Sequence, residues 1–177
     1  MGLHTTTIAV CDPKPLCQAW ALGSRSVLFR KAAHYFHDLS ALKAGRGPCV
    51  FHMGRECRVR KNADIVVIGL PCQPFSVQRG DRGATVAQAH PAFAVMLEFL
   101  EYTASHQIHG GIVEEVMGFG HEIAPSKFRP TALIPHKPKS WATYFTTTLR
   151  SQGYFVAALK LDNAWWSDVA RPRTIVL

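Results

Sequence analysis

Three kinds of reactive side chain stand at places where the sequence gives them a fixed setting. Cys72 lies in Gly69-Leu70-Pro71-Cys72-Gln73-Pro74-Phe75-Ser76, directly after the apolar run Ile65-Val66-Val67-Ile68. A thiol on a proline-stiffened turn at the end of a strand is placed as a covalent nucleophile is. Glu114, in Gly111-Ile112-Val113-Glu114-Glu115-Val116, ends a second apolar run, where a carboxyl group can serve as a general acid or base. Arg171-Pro172-Arg173 precedes the last apolar segment. A free thiol has a pKa of about 8.5, so a nearby guanidinium would favour the reactive thiolate. A further set, Cys49, His52 and Cys57 with His37 upstream, contains zinc-ligating residue types. Its spacing matches no standard structural zinc motif and it contains no Cys-x-x-Cys, so no metal is expected.

The elements that must position these groups alternate along the chain. Thr6 to Val10 reads as a short strand, and Asp12-Pro13 as a cap with proline opening a helix through Leu16, Ala19 and Trp20. Phe36 to Leu39 begins another short segment, and Gly45, Gly47 and Pro48 mark a loop. The continuous apolar run from Ile65 to Ile68 predicts a parallel strand buried on both faces. Pro91 opens a helix in which Phe93, Met96, Leu97, Leu100 and Ala104 form one stripe, and Gly110-Gly111 ends it before a strand over Ile112 to Val116. Phe119 to Ser140 is rich in Pro, Lys, Arg and His without periodicity, which predicts a basic surface loop. A helix over Trp141 to Gln152 is stopped by Gly153, Tyr154 to Leu161 follows, and Thr174 to Leu177 closes the chain as a strand. This alternation predicts an α/β fold with a mostly parallel sheet and a site beyond the carboxyl ends of its strands.

With 177 residues, 47% of them hydrophobic, one domain with a real core is the default. Lys and Arg outnumber Asp and Glu by 20 to 12, a net charge of +8 that suits a polyanionic partner. Five cysteines and no secretory leader pattern point to free thiols in a reducing, intracellular compartment. No apolar run approaches the roughly 20 residues that span a bilayer, so no membrane association is expected.

The Pro71-Cys72-Gln73-Pro74-Phe75-Ser76 stretch after an apolar strand resembles the hallmark of the cytosine-5 DNA methyltransferase family. Glu114 aligns with that family's catalytic glutamate, with Glu115 where the family has asparagine. Arg171 and Arg173 resemble its Gln-x-Arg-x-Arg box, with Val169 in place of the glutamine. Asp12, Asp38 and Pro71 match positions on the cofactor side, and Val10 stands where a ribose-binding glutamate is usual. Gln78 to Gly83 resembles the mobile loop that grips DNA.

The resemblance implies a Rossmann-like fold dependent on S-adenosyl-L-methionine and a DNA partner, in the nucleus if the source is eukaryotic. Residues 1–177 would form a partial catalytic domain, truncated at both ends, without the first cofactor motif or the target-recognition region. The implied reaction adds the Cys72 thiolate to carbon 6 of a flipped cytosine, making carbon 5 nucleophilic toward the methyl group; elimination then restores the thiol. Two other readings share these residues: an inactive nucleic-acid-binding relative and an RNA cytosine-5 methyltransferase.

Overall fold

A computed structural model describes residues 6–23, 32–59, 63–76, 87–106, 108–162 and 172–177. The chain divides into two compact units, Met1–Ala63 with Ser105–Gln107, and Asp64–Ala104 with Ile108–Leu177.

In the first unit β1 (Ala9–Cys11) and β2 (His34–Phe36) pair in parallel, with helix α1 (Pro15–Gly23) in the crossover between them. The start of α1 differs from the sequence reading. Asp12 Oδ1 accepts from Lys14 N at 2.8 Å, so the proline in the first helical turn is Pro15, two residues beyond Pro13. Helix α2 (Leu39–Ala44) begins at Asp38, which caps Ala41 N, and ends at Gly45 in the left-handed region, φ 73°. The expected Gly45–Pro48 loop instead contributes β3 (Arg46–Pro48), paired antiparallel with β4 (Glu56–Arg58). Gly47 permits this hairpin to press on α2, because a Cβ there would lie 2.6 Å from Ala41 Cβ. Tyr35, Phe36, Leu39, Ala41, Leu42, Cys49 and Val59 are buried, a small core.

The second unit holds a four-stranded sheet in the order β5-β6-β8-β7, formed by β5 (Ile65–Gly69), β6 (Gly110–Val116), β7 (Ala158–Asp162) and β8 (Pro172–Val176). β5 and β6 are parallel, whereas β8 runs antiparallel to both β6 and β7. Helix α3 (Phe93–His106) buries Phe93, Met96, Phe99 and Leu100 and meets α4 (Trp141–Ser151) through Phe93 on Trp141 at 4.8 Å and through Phe145, which stacks on Phe99 with rings 9° apart. A polar clasp joins the two helices: Gln152 accepts from Thr103 Oγ1 at 2.8 Å and donates to Leu100 O at 2.9 Å. Ser140 caps α4 through Thr143 N, and Gly153 ends the region at φ 95°.

The expected Rossmann-like, mostly parallel sheet is not found. The strands form short mixed sheets in which three of the five pairings among the described residues are antiparallel. The two parallel pairs each have a helix-bearing crossover. Only residues 163–171 separate β7 from β8, fewer than the dozen or so a parallel crossover requires. Nor is β5 buried on both faces: it is the end strand of the sheet among the described residues, and its Ile65 and Val67 are 66% and 73% exposed. An apolar run therefore did not report burial here.

The 119–140 connection also departs from expectation, since Phe119, Ile123, Phe128 and Ile134 are buried among its charged residues. Apolar anchors at irregular spacing hold this segment to the core without any periodicity. No helix among the described residues is long and apolar enough to cross a membrane.

Candidate functional site

The setting of Cys72 is built from β5 outward. Parallel register places Gly69 opposite Glu114, and the ladder continues one residue beyond the strand, with Leu70 N donating to Glu114 O at 3.2 Å. The chain then turns on itself: Phe75 N and Ser76 N both donate to the Cys72 carbonyl, at 3.0 and 2.8 Å. Phe75 is buried edge-on against Phe119 at 4.9 Å and lies 6.1 Å from the Phe93 ring. This aromatic anchor fixes the turn to the core and leaves Cys72 exposed at its start. Pro71, half-buried, belongs to the same turn.

Glu114 is oriented by the neighbouring strand. In the β6–β8 pair Glu114 lies opposite Ile175 and Val116 opposite Arg173, so Glu114 and Arg173 are diagonal neighbours on one face of the sheet. Arg173 Nε forms an ion pair with Glu114 Oε1, the guanidinium being the more buried partner. The carboxylate also reaches back over β5, its Oε2 lying 3.4 Å from where a Cβ of Gly69 would stand. The sheet thus brings the Cys72 turn, Glu114 and Arg173 to one corner. Arg171, Val169 and the Gln78–Gly83 stretch lie outside the described residues.

Glu115 points to the opposite face, where it is buried opposite Thr174. Its Oε2 accepts from Val116 N at 2.6 Å, while Oε1 has no hydrogen-bond partner among the described residues. Burial pushes this carboxyl up to about 8; the Val116 hydrogen bond opposes the rise, and the neighbouring Glu114 charge adds to it. At neutral pH Glu115 is therefore largely a neutral acid, closer in charge to an amide than its residue type suggests.

On the first unit, Asp12 and Asp38 follow the carboxyl ends of the parallel strands β1 and β2. Both serve the backbone through Oδ1, Asp12 at Lys14 N and Asp38 at Ala41 N. Between them Cys11 is pushed up to about 11, first by burial and then by the Asp38 and Asp12 charges, which makes it a protonated thiol rather than a nucleophile.

The same unit gathers His34, Cys49, His52 and Cys57, with one potential ligand atom from each lying within 4.8 Å of all the others. His37, the upstream histidine suggested by the sequence, is elsewhere, its Nδ1 2.9 Å from Gln18 Nε2. His34 escaped the sequence reading because it lies 15 residues before Cys49 and enters the cluster only through strand pairing. The sequence matches no protein-family model and no curated protein.

Proposed function

We propose that this chain carries the catalytic corner of a cytosine-5 methyltransferase acting on DNA, with Cys72 as its nucleophile. The observation that carries the reading is the joining of two separate sequence motifs at one sheet corner. Cys72 is exposed on an anchored turn after β5, and β6 presents Glu114, ion-paired with Arg173, beside the strand end from which that turn departs. The reading depends on this corner and on the motif, and not on a parallel sheet.

The Cys72 thiolate adds to carbon 6 of the target cytosine, forming a carbon–sulfur bond and moving an electron pair to carbon 5. Glu114 acts in its protonated form: its carboxyl donates the proton to the ring nitrogen as the thiolate adds, neutralising the charge that develops there, and takes it back when the sulfur leaves. Arg173 holds the Glu114 carboxyl group in place as a positioning residue. Carbon 5 would take the methyl group as the donor's carbon–sulfur bond breaks and S-adenosyl-L-homocysteine leaves; loss of the carbon-5 proton to water and elimination of the Cys72 sulfur would then return the thiolate. The net charge of +8 favours the DNA backbone, and extruding the base from the duplex costs about a few kcal/mol.

Asp12 and Asp38 fit S-adenosyl-L-methionine as acceptors for its hydroxyl and amine groups, since their hydrogen bonds to the backbone engage Oδ1 alone; Val10 adds no side-chain acceptor. S-adenosyl-L-methionine, when bound, would supply an electrophilic methyl group.

The test is covalent trapping on DNA containing 5-fluorocytosine in the presence of S-adenosyl-L-methionine. A denaturation-resistant adduct that Cys72→Ser does not form is the expected result. An adduct undiminished in that variant overturns the assignment of Cys72. An adduct on fluorinated RNA alone transfers the reading to an RNA substrate, and no adduct on either overturns the catalytic reading.

A further inference from the structure

We propose that His34, Cys49, His52 and Cys57 form a zinc(II) site that staples the first unit, a role separate from the chemistry at Cys72. The residues come from three pieces of structure. His34 opens β2, Cys49 and His52 lie in the turn that follows β3, and Cys57 is the middle residue of β4. Antiparallel pairing of Gly47 with Cys57 and a bridge between Phe36 and Cys49 bring these pieces together. Phe36 is two residues beyond His34, so both side chains lie on the same face of β2.

The connecting loop is closed by its own backbone hydrogen bonds, which hold Cys49 and His52 close together. The Cys49 carbonyl accepts from His52 N at 3.2 Å and Gly54 N at 2.9 Å, and Cys49 N donates to Arg55 O at 2.9 Å. The loop reverses through Met53 and Gly54, both left-handed, at φ 54° and 80°. Such a backbone in a non-glycine residue is uncommon, and it is found here at the tip of the ligand loop.

Three of the ligand-atom spacings lie close to those of tetrahedral coordination, and all four atoms lie within 4.8 Å of one another. Zn–S bonds of about 2.3 Å and Zn–N bonds of about 2.0 Å place neighbouring ligand atoms about 3.3 to 3.8 Å apart. His52 Nδ1 lies 3.2 Å from Cys49 Sγ and 3.3 Å from Cys57 Sγ, and His34 Nδ1 lies 3.8 Å from Cys49 Sγ. The donor set, two thiolates and two imidazoles, is that of structural zinc. Four protein ligands close the coordination sphere, leaving no position for substrate. Binding expels the thiol protons of Cys49 and Cys57 to solvent, and the exposed side of His52 gives the ion a way in. A unit with so small a core and, among the described residues, only two-stranded sheets is the kind of structure that a metal stabilises.

The experiment uses the full chain, purified with reductant and dialysed free of loosely held metal, then assayed for zinc and titrated with cobalt(II). About one tightly held metal per chain is expected. Cobalt should give strong visible ligand-field bands of a tetrahedral site with near-ultraviolet thiolate charge transfer. Cys57→Ser should lower retained zinc at least roughly tenfold. His52→Cys should keep the metal and intensify the charge-transfer band, a readout that survives even if the serine variant folds poorly. Cys72→Ser should bind metal as the parent does. A parent chain with only the weak bands of octahedral cobalt overturns the proposal, as does equal metal loss in Cys72→Ser. So does a Cys49–Cys57 disulfide in protein isolated with its thiols blocked at lysis.

Discussion

Cys72 and Cys49 are the same residue type in opposite settings. Cys49 is fully buried with two imidazoles and a second thiol around it, while Cys72 is exposed on a turn held by the backbone and by Phe75. Among the described residues no His/Cys/Asp/Glu cluster able to hold a metal forms around Cys72. A buried thiol surrounded by ligating atoms suits an ion; an exposed one at a strand end suits a substrate. Neighbours and access, not residue type, separate a structural cysteine from a reactive one.

The comparison is tested most severely at Cys72 itself. Cys72→Ser should abolish methyl transfer while zinc content and thermal stability stay at parental values; joint loss of activity and metal would merge the two settings into one. Next in size, Glu114→Gln should lower the rate by roughly 10²- to 10⁴-fold with DNA affinity unchanged in a binding titration. An equal fall in affinity would make Glu114 structural. Third, stripping the metal with a strong chelator should lower the melting temperature by several degrees in calorimetry. Re-addition of zinc should restore it, as ligand linkage requires. A melting curve indifferent to chelator would remove the distinction between the units.

The smallest effect concerns Glu115. Its folded-state pKa, about 8, lies above the ordinary carboxyl value, so the folded state binds the proton more tightly than the unfolded chain. Stability is therefore full below the unfolded value and falls as pH rises toward 8. Glu115→Gln should flatten that fall, with a gain at the alkaline end of at least about 1.4 kcal/mol, the equivalent of one pKa unit. Denaturant melts across this pH range check it, and an unchanged slope would place the titrating group elsewhere.

Helix α3 could be read from its apolar stripe and α4 from the glycine that stops it, because these signals act within a few residues. The Cys72 turn and Glu114 were legible for the same reason, each being a local motif after an apolar run. The sheet was not. Ile65 and Val67 look like core residues in sequence yet are exposed on the end strand of the described sheet, and the antiparallel insertion of β8 between β6 and β7 leaves no periodic trace. The buried anchors Phe119 and Phe128 were equally hidden among charged neighbours.

By itself the sequence determined which groups could react: the thiol of Cys72, the carboxyl of Glu114 and the guanidinium of Arg173 are properties of the residues. Tertiary structure alone decided which of them meet. Arg173 reaches Glu114 across 59 positions because β8 pairs with β6, and His34 joins Cys49, His52 and Cys57 because β2 meets the turn of a hairpin. Coordination and ion pairing depend on separations of a few ångströms, and strand pairing sets those separations independently of distance along the chain.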